Sequence, residues 1–173
     1  MLKKILIVIG GLIAIILIIP VFLSDSYTVS RKVEIAKPDS VVFQILGDFN
    51  EFPKWSPWNE MDSTITFTIS GTPDSIGHLY TWSGQKMGEG SMQFLDVIPN
   101  KVIKTDLIFI SPNPGKGLNE WLLEPTANGT QFTWTVSGEL GYFGRYFGLM
   151  MDSMLGKDFE HGQKKLKVLA ESK

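Results

Sequence analysis

Two histidines, His78 and His161, and a scatter of carboxylates are the residues of this chain best able to move a proton. His78 opens the run GHLYTWSG, with Tyr80 and Trp82 following at intervals of two. On a strand, that spacing puts an imidazole, a phenol and an indole on one face. An imidazole inside an apolar cavity is a general base near neutral pH. The adjoining Gly77 favours an edge position with a structural role, with ligand contact and catalysis as the alternatives. Glu89 and Glu139 each lie beside glycine on strand-like stretches, and burial would turn either into a general acid. His161 follows Asp158 by three residues, so the two can share a helix face. Asp152, Asp158 and Glu160 read chiefly as solvated acids or helix charge partners. Two histidines without an HExxH pattern, in a chain with no cysteine, give no zinc signature, so neither metal nor cofactor is expected. Nucleophile elbow, Walker loop and dinucleotide fingerprint are all absent. GEG at 88–90 and GKG at 115–117 are turn or bulge glycines.

Apolar residues carry the stronger signal. FNEFPKWSPW at 49–58 sets Trp55 between Pro53 and Pro57 and Trp58 directly after the second, and Trp82, Trp121 and Trp134 follow. Met150, Met151 and Met154 cluster late in the chain, and methionine adapts to irregular apolar shapes. The candidates for lining a ligand cavity are therefore Trp55, Trp58, His78, Tyr80, Trp82 and Phe94. Trp121, Trp134, Phe147, Met150, Met151 and Met154 complete the set, with Glu89 and Glu139 as possible polar groups. A filled core would use the same residue types. Phe49, Phe52 and Trp55 have a helical spacing suited to plugging a core, which leaves Trp58 for the rim.

The elements that must position these side chains follow from periodicity. Tyr27, Val29, Arg31, Val33 and Ile35 alternate with polar residues as a half-buried strand does. AKPDSVVFQILGDF reads as a short helix with Pro38 in its first turn, Asp39 at its positive end and Val42, Ile45 and Leu46 as its apolar face. A second short helix fits Phe52 to Trp55. Six strands are expected next, in STITFTIS, GHLYTWSG, EGSMQFLDVI, KVIKTDLIFI, LNEWLLEP and QFTWTVSGEL. Pro99-Asn100 and Asn128-Gly129 mark turns, the latter the clearest hairpin signal in the chain. After Gly141 the period changes: Phe147, Met151, Leu155 and Phe159 recur every four residues, predicting a helix of nearly thirty. Glycines at 141, 144, 148 and 156 are unfavourable in a helix; they mark either close contact with the sheet or a later, loose start that would serve as a gate.

The first two dozen residues stand apart. Ile5 to Leu23 is nineteen residues without a charge, and a helix of that length spans about 28 Å, close to a bilayer core of about 30 Å. Residues 1–24 are read as a transmembrane anchor and 25–173 as one soluble domain. Lys3 and Lys4 favour a cytoplasmic amino terminus with the domain outside the cell membrane, although Arg31, Lys32 and Lys37 lie on the other side. A cleaved signal peptide is the rival reading, but no A-x-A site follows. Setting aside Lys3 and Lys4 leaves 14 basic against 18 acidic residues. With no basic run, nucleic acid is not an expected partner.

Strand, short helices, six strands and a long final helix is the helix-grip order. The chain resembles the polyketide cyclase/dehydrase-like SRPBCC group of the Bet v 1/START-like superfamily. VEIAKPDSVVFQILGDFNEFPKWSPW at 33–58, GTPDSIGHLYTWSG at 71–84, GEGSMQFLDVIPNKVI at 88–103, TQFTWTVSGEL at 130–140 and LMMDSMLGKDFEHGQKKLK at 149–167 carry the resemblance. It implies an α+β domain: a curved seven-stranded antiparallel sheet around the long C-terminal helix, two short helices between strands 1 and 2, and an apolar cavity between sheet and helix. Relatives bind lipids, sterols or aromatic polyketides, and a minority catalyse reactions. The expected function is a membrane-anchored binding module for a hydrophobic small molecule, with the membrane contacted through residues 5–23. An enzyme using the same cavity, or an envelope protein with a filled core and a protein partner, are the alternatives.

Overall fold

The computed structural model describes all 173 residues. Helix α1 (Leu2–Ile18) runs into a 3-10 turn (Ile19–Phe22), because Pro20 has no N–H to extend the α-helical ladder. Leu2–Phe22 is the one helix long and apolar enough to cross a membrane by length and composition. Strand β1 (Ser26–Ile35) follows, then α2 (Asp39–Leu46) and two single turns, α3 (Phe52–Trp55) and α4 (Trp58–Met61). Three helical pieces therefore stand where two were expected. WNEM is one turn between Pro57 and Asp62, too short to display a period.

Strands β2 (Thr66–Ser70), β3 (Leu79–Gly84), β4 (Gly88–Ile98), β5 (Val102–Ser111), β6 (Gly115–Thr126) and β7 (Gly129–Glu139) complete an antiparallel sheet. Its order is β1-β7-β6-β5-β4-β3-β2, so β1 closes on the last strand and β2 is the far edge. Register shifts at Glu89/Gly90 and Phe94/Asp96 bend β4, the local irregularity that lets a sheet curl. GKG belongs to β6, which reaches back to Gly115 rather than starting at Leu118. The last hairpin turns through Ala127 and Asn128, with Thr126 opposite Gly129.

Helix α5 (Arg145–Glu171, 27 residues) lies in the concavity of the sheet. Its buried stripe of Phe159, Leu166 and Ala170 continues the four-residue period, and Gly156 and Gly162 let it approach closely. A Cβ on Gly162 would stand 2.9 Å from the Trp134 ring and 3.0 Å from Pro57. One on Gly156 would run into the Arg31 guanidinium. Arg31 on β1 clamps the helix: its Nη1 donates to Asp152 Oδ1 at 2.8 Å and its Nε to Glu160 Oε1 at 2.9 Å. The guanidinium holds the Asp152 carboxyl below the usual range. Asp152 and Glu160 are thus partners of β1.

Candidate functional site

The concave face of the sheet divides along the length of its strands. At the end nearest α2 and α3 it is full. Phe49, Phe52 and Trp55 press into it, with Phe49 4.6 Å from Phe94 and Trp55 5.5 Å from Trp121 between ring centroids. Each large aromatic buried in this way contributes on the order of 2–3 kcal/mol. At the other end, between the inner faces of β3 to β7 and the first half of α5, an apolar cleft of about 310 Å³ remains.

Trp58, Tyr80, Trp82 and Trp134 line the cleft, and Met151 and Met154 close it from α5. Sixteen of its twenty lining residues are hydrophobic, so a ligand there would be held chiefly by removal of apolar surface from water. Trp134 stacks on Phe159 with centroids 4.4 Å apart and planes 5° apart, fixing the floor where sheet meets helix. Trp134 Nε1 donates to Asn119 Oδ1 at 2.6 Å, and Asn119 Nδ2 donates to Thr105 Oγ1 at 3.1 Å. These cross-strand bonds satisfy polar groups beneath the cleft. Ser56 Oγ on its wall is buried without a partner in the protein. Burial pushes the Tyr80 phenol above its ordinary range, against the opposing effect of its hydrogen bond with Asn59, and burial raises Tyr27 likewise. Both line the cleft as neutral hydroxyls at physiological pH.

The other candidates named from the sequence lie elsewhere. Trp55, Phe94 and Trp121 are in the aromatic plug, fully buried behind the cleft. His78 shares their end of the concavity, its ring stacked on Phe49 at 4.9 Å. Its Nε2 accepts the Phe49 N–H at 3.0 Å, and its Nδ1 faces the Ser70 carbonyl at 3.1 Å. That pair of partners describes a neutral ring with the proton on Nδ1. Both nitrogens are used by the backbone, so the ring offers no base to a ligand. Phe147 and Met150 are exposed on α5, away from the cleft lining. Glu89 is exposed and accepts from Ser83 Oγ at 3.3 Å, while Glu139 is exposed at the strand end opposite Ser26.

His161 and Asp158 face different partners. His161 Nε2 lies 2.9 Å from Glu60 Oε2 on α4, whereas Asp158 Oδ2 accepts from Trp58 Nε1 at 3.2 Å and lines the cleft. No group of three or more His, Cys, Asp or Glu side chains is placed to hold a metal ion. Leu107, Phe109 and Asn119 also line the cleft and were missed in the sequence. Parity was the available signal: Phe109 is two residues from Leu107, and Asn119 two from Trp121.

Residues 26–171 match the family described as polyketide cyclase / dehydrase and lipid transport. The chain belongs to that family. Its membership of this polyketide cyclase/dehydrase group accounts for the helix-grip fold, a general scaffold for binding hydrophobic molecules; residues 1–25 fall outside the match. Solved structures share the fold. A protein of unknown function from Staphylococcus aureus, SA2116, aligns with a TM-score of 0.66 at 11% identity, over 85% of this chain and 94% of its own. MLL2253 from Mesorhizobium loti gives 0.61 at 20% identity, over 84% and 97%. The di-domain ARO/CYC StfQ from the steffimycin biosynthetic pathway gives 0.65 at 10% identity, over 85% of this chain and 51% of that one. At these identities the likeness is one of fold. Comparison with curated protein sequences finds no match.

Proposed function

We propose that this family member is a membrane-tethered binding module for a hydrophobic small molecule, lipid-like or aromatic, held between the sheet and α5. The observation that carries the reading is the apolar cleft of about 310 Å³ in a domain whose other end is packed solid. Its volume falls at the lower end of the range typical of small-molecule sites. Ser56, Asn59 and Asp158 on the wall are the groups that would orient a single polar function of the ligand. Helix α1 is the tether in this reading. Lys3 and Lys4 before it favour a cytoplasmic amino terminus, with residues 25–173 outside the cytoplasm.

Photo-crosslinking tests it. The full chain in detergent micelles, illuminated with a diazirine-bearing fatty acid, should form adducts mapped by peptide mass spectrometry to Trp82, Met151 and Leu155. Excess unlabelled fatty acid should suppress them. Adducts confined to residues 2–22, with none in the cleft, would remove the binding reading for lipid-like ligands.

A further inference from the structure

The end of α1 and the start of α5 are joined by side chains that reach backbone carbonyls. Tyr146 Oη donates to the Ile16 carbonyl at 2.6 Å, and Tyr142 Oη donates to the carbonyl of Leu17. Arg145 Nη1 donates to the Pro20 carbonyl at 2.9 Å. The first of these replaces a missing bond, since residue 20 is proline and cannot donate to Ile16 as an α-helix requires. Pro20 is the one buried residue of the apolar segment. The domain is therefore docked on the end of α1 rather than hung from a loose linker.

That docking sets a depth. Ile16 lies six residues before Phe22, the end of the apolar helix. At about 1.5–2.0 Å per residue, the Tyr146 hydroxyl sits roughly 9–12 Å below that end and the Arg145 guanidinium, on Pro20, roughly 3–4 Å below it. Interfacial helices bury their apolar faces about 5–10 Å deep, and tyrosine and arginine are the residues expected at that level.

The surface exposed there suits lipid. Phe147, Met150 and Met154 form one stripe on α5, with Phe143 a turn earlier, and each is more than half exposed. Leu149, on the neighbouring face, is 69% exposed. The register brings further apolar groups to the same rim: Ser26 pairs with Glu139, Gly117 with Gly138, and Phe109 with Gly115. These pairings put the end of β5, with exposed Phe109 and Ile110, at the same end of the strands as Ser26, where α1 enters. Met154 and Phe109 also line the cleft, so the stripe leads to its mouth.

We propose that this rim rests in the bilayer, with Phe143, Phe147, Met150 and Ile110 in the lipid interface, so that the cleft opens to the membrane. The proposal rests on α1 being the membrane anchor. It gives the tether a second contact that fixes the orientation of the domain and lets a ligand pass from lipid to cleft without crossing water.

The chain contains no cysteine, so single cysteines report position directly. Phe147→Cys, Met150→Cys and Ile110→Cys, with Asn128→Cys on the opposite hairpin as control, would be spin-labelled in the full chain. The chain would be reconstituted in nanodiscs of phosphatidylethanolamine and phosphatidylglycerol. Power saturation should show the first three labels reached by oxygen and shielded from a water-soluble nickel chelate, several-fold better shielded than position 128, as burial at the headgroup/acyl boundary requires. Adding Tyr142→Phe and Tyr146→Phe, which keep the rings but remove both donors, should restore nickel access at position 147. Labels at 147, 150 and 110 as open to nickel as position 128 would overturn the docking. The fatty-acid adducts in micelles are read independently. Aqueous labels with cleft adducts remove the docking alone, and lipid-facing labels without cleft adducts remove the binding reading alone.

Discussion

Trp58 Nε1 donates to Asp158 Oδ2 across 3.2 Å, tying the single turn α4 to the middle of α5 where both residues line the cleft. The Trp58 ring also packs edge-on against Trp134 at 5.6 Å. Trp58→Phe keeps an aromatic wall and removes the N–H, and should cost about 1 kcal/mol in chemical denaturation. Trp58→Ala removes the wall and should cost about 2–4 kcal/mol, with cleft adducts strongly reduced.

His78 is a structural histidine in this account. His78→Ala leaves the Phe49 N–H and the Ser70 carbonyl without their partner, so denaturation should show a loss of about 2–4 kcal/mol. Fatty-acid crosslinking by the folded fraction should stay within about twofold of the natural chain, since a factor of two is well under 1 kcal/mol. Loss of crosslinking without loss of stability would assign His78 to the ligand.

Asp62 gives a pH signature. Its Oδ2 accepts the backbone N–H groups of Lys86 and Met87 at 2.7 and 3.0 Å, and its Oδ1 accepts the Thr64 hydroxyl at 2.6 Å. The Thr64 hydrogen bond, followed by those backbone donors, depresses the carboxyl well below its ordinary value of 3.8. A depressed folded-state pKa adds stability above the unfolded value that is lost as pH falls through the folded one. Asp62→Asn should therefore lower Tm by several degrees at pH 7, and the gap should narrow as pH drops below about 4. A gap independent of pH would contradict the role given to the carboxylate.

Gly162 tests the seating of α5. Alanine would raise helix propensity by up to about 1 kcal/mol, but its Cβ would meet a Trp134 ring atom at 2.9 Å and Pro57 at 3.0 Å. Both neighbours are stiff and buried, so the clash should win. Gly162→Ala should destabilise by about 1–2 kcal/mol and Gly162→Leu by more.

The sheet and α5 were legible because their signals are local. Period two along Tyr27–Ile35 and period four from Met151 to Phe159 each name a face without knowledge of the rest of the chain, whereas Phe147, one turn earlier in the same period, is exposed. Depth was not legible. His78, Tyr80 and Trp82 share a parity, yet His78 lies in the plug while Tyr80 and Trp82 line the cleft. Alternation gives the side of the sheet and says nothing of where along a strand the packing stops. That boundary is set by Phe49, Phe52 and Trp55, which arrive from another element. The link from Tyr146 to Ile16 spans 130 residues and carries no periodic signal at all.

Native mass spectrometry is the most direct test of a cleft built to hold a hydrophobic molecule. The full chain, purified in detergent and released from its micelle in the gas phase, should carry a non-protein mass that denaturing extraction recovers as an apolar compound. Met151→Trp, which fills the cleft from the helix side, should lose that mass while remaining folded. The natural chain appearing only at its own mass, before and after incubation with fatty acids, would contradict the account.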